Sequence, residues 1–329
     1  MQTSTRAPFV STGHLPDPNE VQAAVMEAYA RYKSNHEGDN SDVYPALATV
    51  PSDLFGICFV GCNGAVHAAG DDDVRFSIMS VSKPFIFALV CQELGAEAVR
   101  DRIGVNSTGL PFNSLAAVER DCHGRTNPMV NAGAIATTSL VPGKTPDDKW
   151  QFIKEGLSRF AGRELAVNDA VLTSARKTNA RNQALARMLE SVGRIYTDPA
   201  SATDLYTQQC ALDVSATDLA VMGATLADGG VNPRTNERVV DPLVCHYTLA
   251  IMATSGLYET SGDWLYEIGL PGKSGIGGGI VTVAPGKGGL GTFSPRLDAI
   301  GNSVRGQLVA KYLSRKIGLD LFVSAPVRK

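Results

Sequence analysis

Phe76-Ser77-Ile78-Met79-Ser80-Val81-Ser82-Lys83-Pro84-Phe85-Ile86-Phe87-Ala88-Leu89-Val90 places a serine and a lysine three residues apart at the head of an apolar run that closes at Gly95. The run predicts a buried helix opening close to Ser80, with Gly95 as its C-terminal stop. Pro84 agrees with that register, because a proline is tolerated in a first turn, where its missing N–H has no intrahelical partner to lose. Ser80 and Lys83 then share one face at a helix N-terminus. A serine hydroxyl is a weak nucleophile. A lysine can take its proton only if burial or a neighbouring cation keeps the amine neutral, and Lys273 of Lys273-Ser274-Gly275 is the candidate cation. The positive end of the helix favours the developing alkoxide and disfavours an ammonium. The bland alternative is a capping serine beside a solvated lysine. A second Ser-x-x-Lys, Ser174-Ala175-Arg176-Lys177, sits in a polar stretch, so only Ser80 introduces a dry pocket.

Working outward, Asp17-Pro18-Asn19-Glu20 carries a cap, a proline at the first helical position and a carboxylate three residues after the cap. Val21, Ala24, Val25, Ala28 and Tyr32 then fall on one face of an amphipathic helix. Leu54 to Val60 and Ala65 to Ala69 read as strands meeting at Asn63-Gly64, a dipeptide suited to tight hairpin turns. From Ser80 to about Gly230 the pattern is mostly helical, with segments at Asp148 to Ala161, Arg181 to Val192 and Ala202 to Asp228. After Asn232 β signals return, at Gly275 to Ala284 and Gly289 to Ser294, and a last helix runs from about Asn302 to Lys316. Gly286-Lys287-Gly288-Gly289-Leu290-Gly291 fits G-x-G-x-x-G. It joins two strands, however, and Pro295 follows where a dinucleotide fold needs a helix, so a glycine-rich hairpin is expected. The order sheet, helices, sheet predicts an α+β fold: an antiparallel sheet flanked by helices with an inserted helical subdomain. Residues 1–75 and 236–329 form the sheet part, 76–235 the helical part, and the active site lies at the seam.

The 329 residues carry a net charge of −3 and the pI is near 6.0, with no basic stripe, so no nucleic-acid partner is expected. Met1 to His14 is polar and the apolar run Phe85 to Cys91 is too short to span a bilayer, which predicts a soluble cytoplasmic protein without membrane contact. The six cysteines, Cys58, Cys62, Cys91, Cys122, Cys210 and Cys245, form no C-x-x-C pair and read as reduced thiols. Five scattered histidines without H-E-x-x-H give no zinc pattern, and neither a metal nor a cofactor is expected.

Asn127-Pro128-Met129-Val130-Asn131-Ala132-Gly133-Ala134-Ile135, taken with Ser80-x-x-Lys83 and Gly269-Leu270-Pro271-Gly272-Lys273-Ser274-Gly275, resembles the serine-dependent glutaminases. The likeness runs from about residue 15 to 318. It also includes Ala180-Arg181-Asn182, Asp204-Leu205-Tyr206, Val221 to Gly230, Gly256-Leu257-Tyr258 and Ser294 to Asp298. It implies the fold of serine β-lactamases and penicillin-binding transpeptidases, in which Ser-x-x-Lys meets a Lys-[Ser/Thr]-Gly strand. By resemblance, Ser80 is the nucleophile, Lys83 its base and Tyr258 a proton-transfer partner. Asn131, Asn182 and Tyr206 line the substrate or relay pocket, and the backbone N–H groups of Ser80 and Ile276 form the oxyanion hole. The implied reaction is hydrolysis of L-glutamine through a Ser80 acyl-enzyme, in a homo-oligomer, dimer or tetramer.

Three positions depart from the family. The chain has Asp42-Val43-Tyr44-Pro45 where the family writes Asp-Tyr-Ile-Pro, so Val43 stands in the place of the phenol. In an extended segment Tyr44 would then point away from the site. Met79 replaces a glutamine. Ala175 replaces the glutamate of Ser-Glu-Arg that is expected near the substrate α-ammonium, a loss of about 1.5 to 3 kcal/mol, or roughly ten- to a hundredfold in affinity. Two alternatives therefore stand beside glutamine hydrolysis: a related serine amidase for another small carboxamide, and a catalytically weak binding homologue.

Overall fold

A computed structural model describes residues 14–121 and 123–323. Its main sheet has five antiparallel strands in the order β2-β1-β7-β6-β5. These are β1 (Gly56–Gly61), β2 (Val66–Gly70), β5 (Gly272–Ser274), β6 (Gly279–Ala284) and β7 (Gly288–Phe293), while β3 (Phe76–Ser77) and β4 (Asp213–Val214) pair separately. The β1–β2 turn falls at Asn63-Gly64, with Gly64 at φ +81°. The glycine string 286–291 makes the β6–β7 turn and β7 itself, with no dinucleotide-type crossover.

Both faces of the sheet are covered, which is why β1, β6 and β7 are buried along their whole length. Ile57, Phe59, Ile280 and Leu290 point toward the flanking helices Pro18–Tyr32, Ser261–Ile268 and Val304–Lys316. Cys58, Val60, Val281 and Phe293 point into the larger core shared with the helical part. The Ala216–Ala227 helix packs on this second face along β7. A Cβ on Gly289 would come 2.3 Å from the Ala220 carbonyl oxygen, and one on Gly291 2.0 Å from that of Ala216. Gly289 and Gly291 thus let a helix backbone lie directly on a strand, while Gly286 serves the turn at φ +70°.

Two expectations are corrected. The helical stretch Ala202 to Asp228 is two helices, Pro199–Cys210 and Ala216–Ala227. They are split by β4, whose register with β3 pairs Phe76 with Val214, and Ser215 restarts the chain with a capping box to Asp218. The strand expected over Gly275 to Ala284 begins only at Gly279, and between Asn232 and β5, where the sequence pattern assigns no element, lie the helices Pro242–Ser255 and Ser261–Ile268. The first packs on the Lys83–Leu94 helix and buries Val244, Cys245, Thr248, Leu249, Ile251 and Met252 as one stripe, which apolar residues on the exposed face, Leu243 and Ala250, hide from the sequence pattern.

The segment carrying Ser80 is pinned from both sides. Ile78 N–H donates to the Leu212 carbonyl at 2.8 Å, continuing the β3–β4 pairing, and Lys83–Leu94 runs back under the core to Gly95 at φ +83°. The α-helix starts three residues later than the sequence pattern predicts, because Met79–Ser82 forms a 3₁₀ turn ahead of it.

Candidate active site

Met79 opens that 3₁₀ turn at φ +49°, an uncommon conformation for a residue with a side chain, and so fixes where Ser80 projects. Ser80 is buried, and Lys83, the first residue of the following helix, is 2% exposed. Lys83 Nζ donates to the Met129 carbonyl at 3.2 Å and to Asn131 Oδ1 at 2.8 Å. The Tyr206 hydroxyl donates to the same Asn131 oxygen at 3.3 Å. Asn131 Nδ2 donates to Asn182 Oδ1 at 2.9 Å. The Tyr206 and Tyr258 phenols both interact with the Ser80 hydroxyl. Ser80, Lys83, Asn131, Asn182, Tyr206 and Tyr258, all named from the sequence, thus form one continuous polar cluster.

Tyr258 arrives from the other side, at the start of a short 3₁₀ turn and at φ +56°. Its hydroxyl donates to the Ser274 carbonyl at 3.3 Å and its ring packs on Phe112. Ile276 lies in the β5–β6 turn, partly buried against Met79 and Leu47. Gly275 brings this turn onto the Ser80 segment: an added Cβ there would sit 3.1 Å from both the Ile78 carbonyl oxygen and Val81 Cγ2. Gly301 closes the rim, its Cβ position 3.5 Å from Ile276 Cγ2 and 3.8 Å from the Tyr258 ring edge.

Electrostatics follow from dryness. Burial holds the Lys83 amine down at about 7, with only the Cys210 thiol working against it. The Tyr258 phenol is pushed up to about 12 by burial, and Tyr206 well above its usual value for the same reason. At neutral pH the amine is therefore the cluster member able to accept a proton, and the phenols stay protonated. Lys273 does not supply the cation that the sequence suggested. It is fully buried, donates to the Gly256 and Ser274 carbonyls at 2.9 and 2.7 Å, and lies 4.4 Å from the Tyr258 ring centroid. Burial, reinforced by Lys83, depresses its own amine well below the ordinary value. Desolvation rather than a neighbouring charge keeps Lys83 neutral.

The three departures also find their places. Val43 turns outward, 51% exposed, while Tyr44 packs toward Met79, Ala211 and Cys210, and burial pushes its phenol up to about 12. The bend before the short Pro45–Ala48 helix lets the displaced phenol reach the site after all, the rearrangement an extended strand would forbid. Ala175 is buried on the same face of the Asp169–Thr178 helix as Val171, which packs with Met79. Its neighbour Arg176 forks onto Asp204, and Lys177 is exposed and away from the cluster. Among the described residues, the one carboxylate prominent among the influences on Lys83, Lys273, Tyr206 and Tyr258 is Glu259, acting on Tyr258.

Sequence reasoning missed Tyr44, Phe112, Asn179, Thr207, Cys210 and Gly301. Asn179 had a signal, three residues before Asn182 and thus on its helix face, as did Cys210, four after Tyr206. No three of His, Cys, Asp or Glu gather as a metal would require among the described residues, and no helix there is long and apolar enough to cross a membrane.

A family model described as Glutaminase matches residues 38–322. The chain belongs to the glutaminase family. It is 66% identical over 318 residues to Glutaminase 2 of Yersinia pestis, covering 97% of this chain and 94% of that one. It is 46% identical over 306 residues to Glutaminase 1 of Escherichia coli K12, covering 93% and 99%. Among solved structures, one described as probable glutaminase ybaS superposes with a TM-score of 0.92 at 45% identity, covering 94% of this chain and all of that one. The Bacillus subtilis glutaminase YbgJ, solved as a covalent complex with 5-oxo-L-norleucine, superposes with a TM-score of 0.81 at 29% identity, covering 93% and 99%. The fold is the β-lactamase-like arrangement of this glutaminase family, an open antiparallel sheet flanked by helices.

Proposed function

We propose that this glutaminase-family chain hydrolyses L-glutamine to L-glutamate and ammonia through a Ser80 acyl-enzyme. The observation that carries the reading is the buried Lys83 amine, held by Asn131 Oδ1 beside the Tyr206 hydroxyl, with Ser80 close enough to the Tyr206 and Tyr258 phenols to influence both. Ser80 Oγ attacks the side-chain carboxamide carbon and its proton passes to neutral Lys83. The tetrahedral oxyanion is met by the Ser80 and Ile276 backbone N–H groups. The leaving nitrogen takes that proton from Lys83, directly or through Tyr258, and departs as ammonia as the intermediate collapses to the Ser80 ester. Water then attacks the ester carbonyl, the amine takes its proton and returns it to Ser80 Oγ as the Oγ–carbonyl bond breaks, and glutamate leaves. Asn131, Asn182 and Tyr206 line the substrate pocket. The same proposal keeps the division into 1–75 with 236–329 and 76–235, so that Tyr258 and Ile276 come from one side of the seam and Ser80, Lys83, Asn131, Asn182 and Tyr206 from the other. It also includes a cytoplasmic homo-oligomer, testable by sedimentation.

Purified protein is expected to release ammonia from L-glutamine and to gain one covalent adduct from 6-diazo-5-oxo-L-norleucine. Ser80→Ala should lose both, and an active, labelled Ser80→Ala enzyme would refute the mechanism. A second reading is favoured by Ala175, which stands where the resemblance expects a glutamate: the site discriminates weakly for an α-ammonium. Glutaramate, which lacks that group, should then be hydrolysed within about tenfold of glutamine, and Ala175→Glu should widen the gap toward glutamine. A glutamine preference above about a hundredfold would dismiss this reading.

A further inference from the structure

A directed chain of hydrogen bonds leaves the site and ends on a backbone carbonyl. Lys83 Nζ donates to Asn131 Oδ1 at 2.8 Å, Asn131 Nδ2 to Asn182 Oδ1 at 2.9 Å, and Asn182 Nδ2 to Asn179 Oδ1 at 2.7 Å. Asn179 Nδ2 then donates to Thr207 Oγ1 at 2.6 Å, and Thr207 Oγ1 to the Thr203 carbonyl at 2.7 Å. All four side chains beyond the lysine are buried, so a link with two donors or two acceptors facing each other would carry the full cost of an unmet polar group. A carboxamide turned end for end keeps its shape, so packing does not choose its direction. The end of the chain does. The Thr203 carbonyl can only accept, so the Thr207 hydroxyl donates to it and offers Asn179 a lone pair. Asn179 must present NH₂ to Thr207 and oxygen to Asn182, and the same choice repeats at Asn182 and at Asn131. The amine consequently meets an oxygen, which the Tyr206 hydroxyl also finds.

We propose that Thr207 and Asn179, neither of which hydrogen-bonds Ser80 or Lys83, are positioning residues that set the direction of the amide chain so that Asn131 turns its oxygen to the Lys83 amine. The alternative direction would aim an Asn131 N–H at the lone pair of the neutral amine, occupying the lone pair needed for the Ser80 proton. The inference rests on the Ser80–Lys83 reading above.

The test compares Thr207→Val, which keeps shape and deletes the hydroxyl, with Thr207→Ser, which keeps the hydroxyl, and with Asn179→Ala, which breaks the neighbouring link and leaves the Thr207–Thr203 bond intact. The titratable groups around Lys83 are Cys210 and Tyr206 on the Pro199–Cys210 helix, Lys273 on β5, and Tyr258 across Ser80; none is substituted. An oxygen acceptor favours the ammonium form, so losing it moves the acid limb of kcat/KM to lower pH. Thr207→Val and Asn179→Ala are expected to shift that limb down by about half a unit or more and lower kcat by about tenfold, with Thr207→Ser within about threefold of the parent. If Thr207→Val does not fold, judged by its melt, Asn179→Ala carries the comparison. An unmoved acid limb in a folded Thr207→Val or Asn179→Ala enzyme, or a Thr207→Ser enzyme as impaired as Thr207→Val, overturns the proposal. Failure of the underlying mechanism shows separately, as an active Ser80→Ala enzyme.

Discussion

Replacing Lys83 with methionine should abolish activity while changing how stability depends on pH, and the second effect can be worked out. The amine moves from an ordinary 10.5 to about 7 on folding, driven by burial. Between those values the unfolded chain binds a proton that the folded chain does not, so stability rises with pH across that window. Below the folded value both states are protonated and the penalty is constant; above the unfolded value both are neutral and it has vanished. The lysine costs about 4 kcal/mol at pH 7 and about 2 kcal/mol at pH 9, from a pKa displaced by about 3.5 units. Methionine carries no such term. It forfeits the bonds to Met129 and Asn131, an offset of about 1 to 3 kcal/mol that does not vary with pH. Urea unfolding of both proteins at about pH 7, 8 and 9 should therefore show the parent gaining about 2 kcal/mol on the variant across the series. Lys273 titrates in both proteins, and losing the Lys83 charge eases the depression of its amine in the variant, which acts in the same direction as the parent's gain rather than against it. A stability difference that stays flat over this range would mean the amine is not desolvated, and the argument for a neutral base would fail.

Two further outcomes are expected. The kcat/KM for glutamine should rise with pH through about 7 as Lys83 loses its proton, and it should show no fall from Tyr258 until well above pH 10, because burial holds that phenol near 12; a profile falling through pH 7 contradicts the assignment. Gly291→Ala, whose Cβ would meet the Ala216 carbonyl at 2.0 Å, should destabilise the fold by about 1 to 3 kcal/mol and lower the melting temperature without changing the acid limb.

Glutaminase-family membership, the β-lactamase-like sheet and the serine–lysine pair form a consistent picture, in which strain and dryness do separate jobs. Met79 and Tyr258, both with positive φ, fix the backbone from which Ser80 and the Tyr258 ring project, and the glycines of the β5–β6 turn let backbone approach backbone. Burial then sets the protonation states, pressing the amine down and the phenols up.

What was legible in the sequence was local. A cap with proline at Asp17-Pro18, a turn at Asn63-Gly64, a helix bracketed by Pro84 and Gly95, and a nucleophile–amine spacing all lie within a few residues, where propensity and turn chemistry act. The split at β4 was not legible, since Asp213–Val214 becomes a strand only because Phe76–Ser77 lies beside it. Nor was the Pro242–Ser255 helix, whose exposed face also carries apolar residues such as Leu243 and so masks the period. The inward turn of Tyr44, the capture of the Lys273 amine by two backbone carbonyls and the direction of the amide chain were decided by tertiary structure alone. Lys83 and Asn131 are 48 residues apart and Asn131 and Asn182 are 51 apart. A protonation state depends on how much water surrounds a group, and an amide's direction depends on which partner sits at each end. Both are properties of neighbours that only folding brings together.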